Sequence, residues 1–171
     1  YDGDGKPDLF VAEDRFTGSA SVLLRNQGAF AFEDATADAG LPADLNGLGA
    51  VAADLDLDGR PDLFVSGDNR LFLNAGGGKF REAKGAIPAW EEFGKEDDVA
   101  GVDVADVNRD GRPDVLLGQH YNSTLSDDRR IPVRLYLHRG VEDGAPRFED
   151  VTEAAGLPDL PTKAPHVQLE D

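Results

Sequence analysis

Alternating acids followed by glycine, proline and a further aspartate occur three times in this chain, and that recurrence constrains the fold more than any other feature. Three stretches align without gaps: Asp2-Gly3-Asp4-Gly5-Lys6-Pro7-Asp8-Leu9-Phe10-Val11, Asp56-Leu57-Asp58-Gly59-Arg60-Pro61-Asp62-Leu63-Phe64-Val65 and Asn108-Arg109-Asp110-Gly111-Arg112-Pro113-Asp114-Val115-Leu116-Leu117. Asp54 and Asp106 stand two residues ahead of the second and third copies. The copies are roughly fifty residues apart, within the range of periods that marks solenoids, propellers or arrays. The rest of each period repeats too. A hydrophobic segment and turn (Leu24 to Gly28, Leu73 to Gly76, Leu137 to Gly140) leads to an aromatic beside acid (Phe32-Glu33-Asp34, Phe80-Arg81-Glu82, Phe148-Glu149-Asp150). Each period closes on Leu41-Pro42, Ile87-Pro88 or Leu157-Pro158.

Between these landmarks the pattern is that of short strands. Val51-Ala52-Ala53, Leu63-Phe64-Val65, Leu71-Phe72-Leu73 and Lys79-Phe80-Arg81 read as β segments separated by Gly, Asn and Asp turns. Helical character is confined to single turns at residues 35–38 and 152–155, ended by Gly40 and Gly156. Four strands in about fifty residues is the size of one propeller blade. The expected fold is therefore all-β: a β-propeller segment of about three four-stranded blades, with an aspartate loop between the first and second strands of each. The expected units are 1–53, a first blade lacking its first strand; 54–105, a second; 106–163, a third carrying a polar insertion at 119–131; and 164–171, the first strand of a next blade or a closing strand. Tyr1 falls on the second motif position, so the leading aspartate of the first loop is expected from Asp171 or from outside the chain. Propellers typically have 4–8 blades, so the chain reads as a slice of a larger propeller whose other blades lie in a parent chain or a partner copy.

The loops carry the chemistry. The pattern Asp-x-Asp-x-Asp-Gly-x-x-Asp sets side-chain oxygens at alternate positions of a tight turn, and Ca²⁺ takes 6–8 oxygens at about 2.3–2.6 Å. In the second loop the expected ligands are Asp54, Asp56, Asp58 and Asp62 with the Arg60 carbonyl. In the third they are Asp106, Asn108, Asp110 and Asp114 with the Arg112 carbonyl, and in the first Asp2, Asp4 and Asp8 with the Lys6 carbonyl. Four carboxylates within nine residues repel one another unless a cation neutralises them. Asx-turns capping backbone donors are the bland alternative, and threefold recurrence speaks against it. An EF-hand is excluded because Val65 and Leu117 occupy the place of its bidentate Glu. An all-oxygen donor set also disfavours transition metals.

Charge and composition narrow the partners. With 34 acidic and 17 basic residues the formal net charge is −17, which argues against a nucleic-acid backbone or an anionic membrane surface. No apolar run is long enough to span a bilayer. Cysteine is absent, which removes disulfides, thiolate metal sites and thiol nucleophiles. Nine phenylalanines and 40 % apolar residues still provide a core. His120, His138 and His166 fall in different parts of the pattern, and His138 takes the turn position held elsewhere by Asn26 and Asn74, which reads as structural. Glu91/Glu92 and Asp97/Asp98 have no evident partner base. Trp90, Phe93 and Tyr121 fit an aromatic sugar or peptide platform, although aromatics after a proline more often cover the side of a blade, and Asn122-Ser123-Thr124 is a glycosylation sequon that has meaning only in a eukaryotic secretory protein.

The aspartate loops, together with the alternation of Asp-Leu-Phe-Val strands and Asn-x-Gly turns, resemble the FG-GAP/VCBS repeats of integrin-α-type seven-bladed propellers. The run from Phe148 to Leu157 resembles the version found in ASPIC/UnbV and cartilage-acidic-protein-like families. The resemblance covers nearly the whole chain. It implies Ca²⁺ between the first two strands of each blade, an extracellular or periplasmic setting, and a binding role. The expected function is thus a non-enzymatic, calcium-stabilised module for protein or glycan interaction. A propeller polysaccharide lyase or hydrolase, and an accessory subunit of a large assembly, are the alternatives from other classes.

Overall fold

The computed structural model describes residues 1–14, 18–87, 99–119, 133–157 and 167–169. Within them the chain forms eleven strands: β1 (Leu9–Val11), β2 (Val22–Gly28), β3 (Ala31–Asp34), β4 (Gly47–Ala53), β5 (Asp62–Gly67), β6 (Arg70–Gly76), β7 (Lys79–Glu82), β8 (Val99–Ala105), β9 (Asp114–Gln119), β10 (Val133–Glu142) and β11 (Ala145–Asp150). They make three antiparallel meanders, ordered β1-β2-β3, β4-β5-β6-β7 and β8-β9-β10-β11. This is the all-β propeller segment that the repeat predicts. In both four-stranded sheets the aspartate loop joins the first strand to the second. The insertion expected at 119–131 lies outside the described residues except for Gln119, which ends β9.

Strand alternation builds the stack, because successive side chains point to opposite faces. In β5, Leu63 and Val65 face the first sheet while Phe64 faces the third; in β6, Phe72 faces the first while Leu71 and Leu73 face the third. The middle sheet is thus apolar on both faces, and its two cores hold different residues. One contains Leu23, Leu41, Leu45, Leu63, Val65, Phe72 and Phe80; the other contains Leu55, Phe64, Leu71, Leu73, Val115, Leu117 and Tyr136. Each fully buried side chain of this size contributes about 2 kcal/mol. Tyr136 is 1 % exposed, and burial pushes its phenol up to about 12.

The expected single helical turns are present and share one closure. Leu41 N–H reaches the Thr36 carbonyl (3.0 Å) and Gly40 N–H the Ala37 carbonyl (3.0 Å); Leu157 and Gly156 repeat this on Thr152 (3.2 Å) and Glu153 (3.0 Å). This is a Schellman ending, which needs the left-handed glycine found at Gly40 (φ 81°) and Gly156 (φ 68°). Thr36 and Thr152 then reach back, their hydroxyls accepting the Leu23 and Leu135 amides at 2.9 and 3.0 Å. Each turn is thereby fastened to the strand two places earlier in its own sheet.

Candidate metal centre

The loop between β4 and β5 is folded by its own carboxylates. Asp54 accepts the Asp58 amide (3.0 Å) on one oxygen and the Gly59 amide (2.9 Å) on the other, and Asp58 accepts the Arg60 amide (2.9 Å). Such bonds require left-handed backbone at two places, met by Leu57 (φ 61°) and Gly59 (φ 89°). The result draws Asp54, Asp56 and Asp58 together, one oxygen of each within 4.8 Å of the others. Asp56 Oδ1 is buried without a hydrogen-bond partner. Burial first, and then the Asp58 carboxylate, raises the Asp56 pKa above the ordinary aspartate value. A shielded lone pair beside two further carboxylates is a poor arrangement for three anions and a good one for a divalent cation.

Asp62 stands apart from that cluster. It is 1 % exposed. Its Oδ2 accepts the amides of Leu55 (2.8 Å) and Asp56 (3.1 Å), and its Oδ1 accepts the amide of Asn74 (2.8 Å). Three of its roughly four lone-pair sites are therefore engaged by backbone. Burial is the main cause of its raised pKa, with these amides opposing. The acid that closes the motif thus ties the loop both to its own start and to β6.

The other two loops share these hydrogen bonds, although among the described residues only the second loop brings three carboxylates within 4.8 Å of one another. Asp114 accepts the amides of Val107 (3.0 Å) and His138 (2.8 Å); Asp8 accepts the amino group of Tyr1 (2.7 Å) and the amide of Asn26 (2.9 Å). Asp106 accepts from Asp110 and Gly111 as Asp54 does from Asp58 and Gly59, and Asn108 Oδ1 shares the Asp110 amide at 2.9 Å. In the first loop Asp2 accepts the Asp4 amide (3.1 Å) and Asp4 the Lys6 amide (2.8 Å). Sequence spacing assigned the residue after the glycine a carbonyl role only; its side chain adds a second. Lys6 pairs with Asp4, Arg60 with Asp58 and Arg112 with Asp110, while Arg60 Nε and Arg112 Nε donate to the carbonyls of Asn74 (2.9 Å) and His138 (3.0 Å). The hydrogen bonds from Lys6 hold the Asp4 carboxyl below the usual range. Asp171 lies outside the described residues, as do Trp90, Phe93, Tyr121, His120, His166 and the sequon at 122–124.

A further set of contacts, invisible in the spacing, ties the first and second loops to the sheet that follows each. Asn74 Nδ2 donates to the Tyr1 carbonyl (2.9 Å), and His138 Nε2 lies 2.8 Å from the Leu55 carbonyl. Tyr1 and Leu55 are both second in their motifs, and Asn74 and His138 hold the same place in their sheets. The inner ends of these side chains also match: Asn74 Oδ1 accepts the Gly76 amide (3.0 Å) and His138 Nδ1 the Gly140 amide (3.0 Å). That second bond fixes the tautomer. Nδ1 is the acceptor, so Nε2 carries the proton and donates it to Leu55.

The donors gathered by Asp54, Asp56 and Asp58 are all oxygens, which suits a hard cation such as Ca²⁺, and the orphaned Asp56 oxygen supplies the fit. A family model described as FG-GAP-like repeat matches residues 1–65 and 66–117. Among curated proteins the chain is similar to cartilage acidic protein 1 of Mus musculus, 32% identical over an alignment of 154 residues that covers 87% of this chain and 21% of that protein. The Homo sapiens protein of the same name is 31% identical over an alignment of 154 residues that covers 87% of this chain and 20% of that protein. The chain spans about a fifth of the length of these relatives.

Proposed function

The chain belongs to the FG-GAP-like repeat family, and from that premise we propose that it is a calcium-stabilised, non-enzymatic propeller segment that serves protein or glycan interaction outside the cytoplasm. The observation that carries the calcium part is the Asp54, Asp56, Asp58 cluster with its buried, unpartnered Asp56 oxygen. These three carboxylates would hold the ion with the Arg60 carbonyl, while Asp62 shapes the loop from beneath through its three amides. When bound, the ion supplies charge neutralisation at the corner where the first strand of a sheet turns into the second. Fixing that corner fixes the angle between the strands and presents the neighbouring loops rigidly. Modules of this kind in extracellular proteins bind calcium with Kd of about 10⁻⁴–10⁻³ M, a range matched to a calcium-rich compartment. The third loop, with Asn108 in place of an acid, is the weaker counterpart.

The test is thermal. EGTA is expected to lower the melting temperature and CaCl₂ to restore it, with Asp58→Ala shrinking the difference. A melt indifferent to both reagents would remove the calcium reading. The interaction role is separated from the enzymatic alternative by incubating the chain with acidic glycans: retention without release of unsaturated sugar supports it, and turnover contradicts it.

A further inference from the structure

We propose that His138 is a positioning residue for the cation loop of the sheet before its own, so that calcium binding at 54–62 depends on the packing of the third sheet. The inference rests on the calcium reading above and extends it from the ligands to their support.

Leu55 lies between the candidate ligands Asp54 and Asp56, and each of its groups is fixed. Its amide donates to Asp62 (2.8 Å), its carbonyl accepts from His138 (2.8 Å), and its side chain is 0 % exposed in the core shared with Val99, Val115, Leu117 and Tyr136 of the third sheet. Two of these three anchors come from the neighbouring sheet. The flanking carboxylates project from a peptide that cannot shift without dragging that interface. Tyr1 repeats the arrangement in the first loop: its amino group meets Asp8, its carbonyl accepts from Asn74, and its ring stacks on Phe80 with centroids 5.9 Å apart. At the corresponding place in the third loop, Val107 donates its amide to Asp114, but its side chain is 41 % exposed. The ring of His138 is itself 0 % exposed and meets Phe148 edge-on at 5.1 Å, so it has no freedom to release Leu55 while the third sheet remains folded. The first and second loops thus take their support from the sheet that follows them, and at 54–62 cation binding and packing between sheets become one equilibrium.

Calcium titration calorimetry on the full chain tests this with four proteins: wild type, Asp58→Ala, His138→Leu and His138→Asn. Removing support outside the ligand shell typically weakens metal binding by about 10- to 100-fold. His138→Leu is expected to weaken the site that Asp58→Ala removes by about tenfold. His138→Asn restores the donor and acceptor found at Asn74, and is expected to bind within about twofold of wild type. A merely structural role would lower the melting temperature of calcium-free His138→Leu and leave its calcium affinity intact, which would overturn the proposal. Should His138→Leu not fold, hydrogen exchange on Asp110→Ala, in which the third loop is disabled, decides the matter. Calcium must then slow exchange of the Gly140 amide across the interface; protection confined to residues 54–62 overturns the coupling. A wild-type chain that takes up no calcium sinks the calcium reading and this inference together, whereas binding that ignores His138 sinks this inference alone.

Discussion

A left-handed backbone at a residue bearing a Cβ costs about 1–2 kcal/mol, and the β2–β3 hairpin carries two of them, Ala29 (φ 51°) and Phe30 (φ 61°). The equivalent hairpins use Gly77-Gly78 and Asp143-Gly144, the residue types that a two-residue turn of this hand prefers. Phe30 is 100% exposed, so burial returns nothing for the strain. Phe30→Gly is expected to stabilise the chain by about 1 kcal/mol, the relief of strain exceeding the added freedom of the unfolded chain. For a chain of this size that is a rise of about 3 °C in melting temperature. A lower melting temperature would show that the ring is packed in solution. Leu57 and Arg109 adopt the same backbone inside the aspartate loops, at the place where the first loop has Gly3. There the strain is part of what turns the carboxylates inward, so the same substitution within a loop trades stability against the shape of the site.

At the scale of the element, the β6–β7 hairpin is held at its base by one ion pair. Arg70 Nε and Nη2 donate to the two Glu82 oxygens at 3.0 and 2.9 Å, and the guanidinium sits 5.1 Å from the centre of the Phe72 ring. The hydrogen bonds from Arg70 hold the Glu82 carboxyl below its ordinary value of 4.5. A depressed folded-state pKa contributes stability that is fully present above the ordinary value and is lost as pH falls through the depressed one. Glu82→Gln is expected to cost about 1 kcal/mol at neutral pH, and the gap to wild type should close in strong acid. Denaturation at both pH values measures it; a gap that persists in acid would assign the loss to packing instead. The strands themselves were legible in the sequence. Alternation such as Leu63-Phe64-Val65 between turn residues has one good solution, and the recurrence of Asp-x-Asp-x-Asp-Gly fixes where each loop must fall. The link from His138 to Leu55 was not legible, because its acceptor is a main-chain carbonyl in another sheet and a carbonyl leaves no mark on residue identity. Its one trace was the alignment of His138 with Asn26 and Asn74, which pointed to a shared place without naming the contact. Asp62 was opaque for a related reason. Spacing gives it the same standing as Asp54, whereas its engagement by three amides follows from its burial at the head of β5.

On the scale of the whole molecule, the second and third sheets meet most closely where their first strands run together. β4 lies against β8, and Ser66 Oγ is within hydrogen-bonding distance of both the Gly49 carbonyl (3.1 Å) and the Ala100 carbonyl (3.0 Å), bridging the second and third sheets. A Cβ at Gly49 would come within 2.5 Å of the Ala100 carbonyl oxygen and 3.0 Å of Ser66 Oγ. The first of these is backbone in a paired strand, so relief requires the sheets to separate. At Gly47 a Cβ would meet Ser21 Oγ at 2.8 Å, Val65 Cγ1 at 3.0 Å and the Ala12 Cβ at 3.1 Å, all of them side-chain atoms. Both glycines are needed for close approach: Ala12 Cβ moves only with its backbone, and Ser21 Oγ can rotate away only by giving up the Glu13 amide that it accepts at 3.1 Å. Overpacking of this kind typically costs about 1–3 kcal/mol, so Gly49→Ala and Gly47→Ala should each lose about 2 kcal/mol. Urea denaturation would read the first as a fall of about 1 M in midpoint. If the coupling through His138 holds, parting the sheets at Gly49 should also weaken calcium binding at the 54–62 loop, although Gly49 touches none of its ligands. An unchanged midpoint for Gly49→Ala would contradict the rigid contact at Ala100, and a Gly49→Ala chain with undiminished calcium affinity would confine the coupling to the His138 bond itself.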